Sequence, residues 1–182
     1  MWVKTLALNC RFPRLKQDDI STWLEKQGAA HDQAVKAALL SDGNLLRALD
    51  IVENAEITQS FFENFRQWFR YCFKPQTSMN DLIALCENLA ASGRENQKRF
   101  LSYGLETLRQ TFLASHKKEI PGFTSEEALF IKNLIPFVHN KNVAQYEKLF
   151  TDAIYHIERN ANPKVLFLDM SLKLVKLIKL PG

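Results

Sequence analysis

Apolar residues recur every three or four positions over most of the chain, which is the spacing of one face of an α-helix. The run over residues 61–73 is typical, because its aromatic residues fall at steps of one, three and four while charged residues occupy other positions. No stretch of the sequence shows the apolar–polar alternation of a strand, and no internal repeat is evident. The pattern therefore predicts an all-α fold.

Glycine, proline and capping residues divide this pattern into helices. The predicted breaks are Gly28, Ser41-Asp42-Gly43, Pro75, Gly93, Pro121-Gly122 and Pro136. The predicted capping groups are Asp32, Ser78 with Asp81, and Thr124 with Glu127. The spacing predicts a three-helix unit over residues 11–55 and a larger helical domain over residues 56–182, after an unassigned segment over residues 1–10.

The end of the chain predicts a helix, a break and a second helix. Asn162 can cap the last helix by accepting a hydrogen bond from a free backbone N–H. Pro163 fits the first helical position, where the missing donor of proline costs nothing. In the leucine-rich stretch that follows, Lys173, Lys176 and Lys179 recur every third residue, which favours a helix over a strand.

This Asn-Pro junction resembles the end of the helical collar domain of bacterial clamp-loader subunits, where an Asn-rich turn opens a terminal Leu-rich helix. The three-helix unit carries a second resemblance. Residues 43–49 read Gly-Asn-Leu-Leu-Arg-Ala-Leu, and the lid domain of the ATP-hydrolysing family members carries a sensor motif of the form Gly-Ser-x-Arg-Asp-Ala-Leu. Aligned on Gly43, Leu46 occupies the place of the sensor arginine and Arg47 the neighbouring acidic position. The expected nucleotide contact is therefore absent.

Loss of the sensor arginine favours the delta-prime type of DNA polymerase III clamp-loader subunit, which holds the loader ring without turning over ATP. The resemblance implies no cofactor, and it implies partners of the gamma/tau and delta types that pack beside the collar during DNA replication. Primer–template DNA would be contacted only indirectly or weakly. The implied subunit interface lies on the last helix, at Asn162, Pro163, Leu166, Met170, Lys173, Leu174, Lys176 and Leu177.

The resemblance covers residues 11–179, which correspond to the C-terminal half of the family's proteins. Those proteins begin with a nucleotide-binding-type α/β domain. This sequence contains no Gly-rich phosphate loop, no zinc-ribbon cysteines and no Ser-Arg-Cys motif. We therefore expect either a fragment of a longer protein or the product of a short gene.

Composition narrows the possible functions. The 182 residues are 46% hydrophobic and 24% charged, and the net charge of +4 is too small to indicate a nucleic-acid binder by itself. No apolar run approaches the roughly 20 residues that span a bilayer, so we expect a cytoplasmic protein without a membrane partner.

Catalytic and metal chemistry find little support in the sequence. The three cysteines lack Cys-x-x-Cys spacing and the four histidines lack His-x-x-x-His spacing, so we expect no metal site. The acidic pairs Asp18-Asp19 and Glu126-Glu127 stand at predicted helix starts, where the helix dipole favours carboxylates. We therefore expect no enzyme.

Two other interpretations stay open. A free-standing helical nucleic-acid-binding domain could use the lysines of the last helix, or stack single strands on Phe65 and Phe69 beside Arg66 and Arg70, although that aromatic spacing fits core packing better. A ligand-binding helical bundle would require a sizeable apolar pocket.

Overall fold

The computed structural model describes residues 14–115 and 125–181, and these residues are all-α, as predicted. Nine α-helices occupy the described ranges. They are α1 (Gln17–Lys26), α2 (His31–Leu40), α3 (Leu45–Glu53), α4 (Ala55–Phe73), α5 (Pro75–Ala91), α6 (Arg94–Ala114), α7 (Ser125–Leu134), α8 (Val143–Glu158) and α9 (Pro163–Ile178). A short 3-10 helix, Ile135–Phe137, follows α7.

The turn before α3 requires glycine. Gly43 has a φ of 80°, a conformation that residues with a Cβ rarely adopt. A Cβ at this position would lie 2.7 Å from the Arg14 Cβ and 3.0 Å from the Leu15 carbonyl oxygen. The Gly43 carbonyl also accepts a hydrogen bond from the Leu15 N–H at 3.2 Å. Conformation and close approach therefore both explain the glycine at this break.

The capping predictions had mixed outcomes. The prediction that Asp32 caps α2 is wrong, because α2 begins at His31 after Ala30 and the Asp32 carboxylate lies in the first turn. The prediction that Ser78 opens a helix agrees with the structure in part. The helix α5 begins at Pro75, but Ser78 is non-helical, with φ −121° and ψ 18°, and stands at a kink where two helical segments join.

Of the breaks and caps predicted around α7, only some fall on residues that the structure describes. Pro136 ends the α-helix as predicted, since α7 stops at Leu134 and the chain continues as the 3-10 helix. Pro121-Gly122 and Thr124, the latter paired with Glu127 in the predicted capping box, lie outside the described residues.

Buried apolar side chains form two clusters. The smaller core lies among α1, α2 and α3. It consists of Ile20, Leu24, Ala34, Ala37, Ala38 and Ala48. The larger core is rich in aromatic residues from α4, α6, α8 and α9. The two cores meet at Ile51, which packs against both, and Leu40 of α2 belongs to the larger one.

Gly104 allows α6 to lie close to α4 and α8 at the centre of the larger core. A Cβ on this residue would lie 2.6 Å from Phe65 Cε2 and 2.8 Å from Phe150 Cε1. Both rings are fully buried. The close approach of these helices therefore depends on the missing side chain, because densely packed interiors do not absorb an added methyl group freely.

Candidate functional site

The Asn-Pro junction that opens α9 has the geometry that the sequence predicts. The Asn162 Oδ1 accepts hydrogen bonds from the backbone N–H groups of Lys164 at 3.0 Å and Val165 at 3.3 Å. Pro163 occupies the first helical position. The predicted cap is confirmed, and it fixes the point at which the chain leaves the turn after α8.

The predicted interface residues of α9 do not share one environment. Met170 and Leu174 are fully buried and Leu177 is 8% exposed, because all three pack into the larger core. Leu166 is half-buried against the same core. The buried side chains hold α9 onto the rest of its own chain and do not face a partner, which corrects their predicted place in an interface.

The remaining predicted interface residues lie nearer the surface. Asn162, Lys173 and Lys176 are exposed, and Pro163 is half-buried. Lys173 forms an ion pair with Asp169, with 2.7 Å between Nζ and Oδ2. These positions stay predictions as partner contacts.

A second apolar stripe runs along the outer face of α9. It consists of Val165, Leu168, Leu172 and Val175, and we call it the outer stripe. Val165 is 62% exposed and Leu172 is 56% exposed, while Leu168 and Val175 are half-buried and, like Leu166, pack in part against the larger core. The residues are spaced by three, four and three positions, so they form a continuous line on the helix surface. Such a line is the seam along which one helix packs against another.

Sequence reasoning missed the outer stripe because α9 is apolar on two sides. Leucine periodicity shows that a helix has an apolar face, but two candidate faces fit the period equally well here. The sequence of α9 did offer one signal, because it contains more apolar residues than a single buried helix face needs.

Lysines near the outer stripe are partly neutralised. Lys164 Nζ lies 2.5 Å from the Glu87 carboxylate, and Lys173 is paired with Asp169. Lys176 and Lys179 have no ion pair within the described part of the chain. The outer face of α9 therefore combines an apolar line with a small positive excess.

The sensor-like segment lies where the three-helix unit meets α6. Leu46 is 77% exposed, whereas burial lowers the pKa of Arg47, against the opposing effect of the Glu106 and Asp42 carboxylates. Asn44 caps α3 by accepting the Arg47 N–H at 3.2 Å. Arg47 is therefore turned toward the joint between the two units.

Ion pairs connect the three-helix unit to the larger domain. Lys36 Nζ on α2 lies 2.5 Å from Glu127 Oε1 on α7, and the Glu127 side chain is 1% exposed. Asp42 lies 3.2 Å from Arg109 of α6. A further pair joins Asp50 of α3 to Arg99 of α6. Opposite charges are thus matched across the joint.

The structure also bears on the base-stacking, ligand-binding and metal-binding interpretations of the sequence. Phe65 and Phe69 are fully buried, so the stacking platform suggested for them is wrong. A cavity of about 230 Å³ lies at the joint between α3, α4 and α6, which is below the roughly 300–1,000 Å³ of typical small-molecule sites. An open groove of about 770 Å³ between α4 and α7 falls within that range. Within residues 14–115 and 125–181, no group of three or more His, Cys, Asp or Glu side chains could hold a metal ion.

Among the described helices, none combines the length and apolar character needed to cross a membrane. Comparison of the chain with protein-family models, curated proteins and solved structures finds no match. The described residues form an all-α fold with two apolar cores and an apolar line along α9.

Proposed function

We propose that the chain is a non-catalytic assembly element: the lid and collar portion of a delta-prime-like subunit of the DNA polymerase III clamp loader. In this role the collar binds gamma/tau and delta type subunits while the sliding clamp is loaded onto DNA. The outer stripe of α9 is the observation that carries the proposal. The Asn-Pro junction and the order of a small helical unit before a larger one support it.

The outer stripe suits a partner helix. Burying a Val or Leu side chain fully contributes about 1.5–3 kcal/mol, and Val165 and Leu172 together expose enough apolar surface for a gain of that order. The linear arrangement favours a neighbouring helix over a compact ligand, because successive turns present one residue each along the line. Lys176 and Lys179 beside the line can add contacts at its edge.

Size-exclusion chromatography tests the proposal directly. The wild-type chain, mixed with purified gamma/tau and delta type subunits from the same organism, should elute as a complex. Val165→Glu with Leu172→Glu should abolish the complex, because two carboxylates would be buried without partners. Thermal unfolding of the free variant should stay close to that of the wild type, since both side chains are exposed.

Met79→Glu provides the matched control, because Met79 is an apolar residue on α5 that is 43% exposed and lies off the outer stripe. This variant should form the complex normally. If the wild-type chain forms no complex, the clamp-loader role is wrong. If the complex survives the double substitution, the outer stripe is not the contact surface.

A free-standing nucleic-acid-binding domain is the alternative, and the unpaired Lys176 and Lys179 in the described structure favour it. It predicts binding of duplex or single-stranded DNA by the isolated chain. The affinity should fall steeply with salt, with a log–log slope set by the number of phosphates contacted. Loss of that binding in Lys176→Gln with Lys179→Gln would support the alternative.

A further inference from the structure

An open groove of about 770 Å³ lies between α4 and α7. Its floor is apolar and includes Phe73 of α4 and Phe130, Leu129 and Phe137 of the α7 region. Leu129 is 60% exposed. A groove of this size falls in the range of sites that bind ligands or peptide segments, and its floor exposes apolar surface that no described part of the chain covers.

One edge of the groove is positively charged. Arg66, Arg70 and Lys74 follow one another at intervals of four residues along α4 and its C-terminal cap. Arg66 is engaged by Glu63 at 2.5 Å and lies 3.7 Å from Glu126. Arg70 and Lys74 are exposed and have no ion pair among the residues that the structure describes. The edge therefore keeps two cations ready for an anionic partner.

We propose that this groove binds an acidic amphipathic helix of another protein. Apolar side chains on successive turns of that helix would lie on the floor around Leu129, and carboxylates on its flank would pair with Arg70 and Lys74. Arg66 and Lys74 are separated by about 12 Å along the helix axis, which corresponds to two turns of a helix in the groove. The inference concerns a different surface from the outer stripe and does not depend on the clamp-loader role.

The floor favours peptide side chains over nucleic-acid bases. The Phe73 and Phe137 rings pack edge to face, with centroids 4.4 Å apart and an interplanar angle of 76°. Phe130 packs in the same manner on Phe62, with centroids 5.8 Å apart and an angle of 75°. Base stacking needs open ring faces, whereas each of these pairs already uses a face of one ring and the edge of the other. The most exposed floor residue, Leu129, is aliphatic.

Fluorescence anisotropy with a labelled designed peptide tests the proposal. The peptide is a helix of about three turns, with Leu at positions i, i+3 and i+7 and Glu on the flanks. It should bind the wild-type chain more tightly than a peptide of the same sequence with Lys in place of Glu. Arg70→Glu with Lys74→Glu should weaken binding by at least about tenfold, since two attractive charge pairs become repulsive. Leu129→Glu should weaken it to a similar extent.

Lys132→Glu is the matched control, because Lys132 is an exposed cation on α7 that does not line the groove. It should change the affinity by less than about twofold. Equal affinity for the Glu and Lys peptides, or unchanged affinity in the Arg70/Lys74 variant, would overturn the proposal. Binding of an oligo-dT probe that is lost in the Arg70/Lys74 variant, without peptide binding, would overturn it in favour of nucleic acid. Circular dichroism checks the fold of each variant. If Leu129→Glu does not fold, the Arg70/Lys74 variant still tests the proposal, because its substitutions leave the apolar floor unchanged.

Discussion

At the scale of single residues, Ser171 links α9 to α4 and α5 inside the larger core. Its hydroxyl accepts a hydrogen bond from the Trp68 indole N–H at 2.7 Å and donates to the Phe167 carbonyl at 2.7 Å. The Cys86 sulfur lies 3.3 Å from the same oxygen. Ser171 is 1% exposed and Trp68 is fully buried. The serine therefore satisfies a donor that water does not reach.

Replacing Ser171 by alanine should destabilise the protein because the Trp68 N–H loses its acceptor. A buried donor without a partner costs about 1–3 kcal/mol, and we expect the free energy of unfolding to fall by that amount. Urea denaturation followed by circular dichroism measures it. Ser102→Ala, at a half-buried serine of α6, is the control and should change stability by less than about 0.5 kcal/mol. Equal stability of Ser171→Ala and wild type would contradict the importance of this hydrogen bond.

At the scale of helices, some caps and turns could be predicted from the sequence, but the packing of the helix faces could not. The Asn162 cap follows from two adjacent residues, and the turn at Gly43 follows from the demands of its backbone. The buried side of α9 depends instead on its contacts with α4, α5 and α8. Since both sides of α9 are apolar at a helical period, the sequence alone could not assign Met170 to the core and Leu172 to the surface.

The groove between α4 and α7 was also beyond prediction, because its two walls come from distant parts of the chain. Phe65 and Arg70 lie close together in sequence, yet Phe65 is fully buried and Arg70 is exposed. The helical period separates them once the buried face is known. Leu129 becomes part of the same surface only through the packing of α7 near α4.

A long-range ion pair joins α2 to α7. Lys36→Met should remove the ammonium group that faces the buried Glu127 carboxylate, and breaking a buried ion pair typically costs about 3–5 kcal/mol. The double variant Lys36→Met with Glu127→Gln should recover most of the loss, because the buried carboxylate charge is gone. A double-mutant cycle in urea measures the coupling energy. Lys132→Met, at an exposed lysine of α7, is the control and should have little effect. Additive effects of the two substitutions would contradict the coupling.

At the scale of the whole molecule, the larger core contains a thiol and two phenols that stay protonated at alkaline pH. Burial raises the pKa of the Cys72 thiol to about 12, with a smaller contribution from Cys86. Burial also raises the pKa values of Tyr103 and Tyr146. In the unfolded chain these groups release their protons near their ordinary values, about 9 for the thiol and about 10 for the phenols. The folded state therefore binds more protons than the unfolded state above about pH 9.

The free energy of unfolding should fall as the pH rises from about 8 to about 11. Ionisation of these groups stabilises the unfolded state, whereas in the folded state they stay protonated. Each such group contributes a loss of at most about 1.4 kcal/mol per pH unit.

Tyr146→Phe removes one of these groups, along with the hydrogen bond from the Tyr146 hydroxyl to the Phe137 carbonyl at 3.4 Å. This variant should be less stable than the wild type near neutral pH. The difference should then narrow as the pH rises, since only the wild type loses the contribution of the Tyr146 phenol. Urea midpoints across this pH range measure both effects, with Tyr155→Phe as a control at a ring that is 49% exposed. A stability difference that stays constant or widens with pH would show that the Tyr146 proton is not linked to folding.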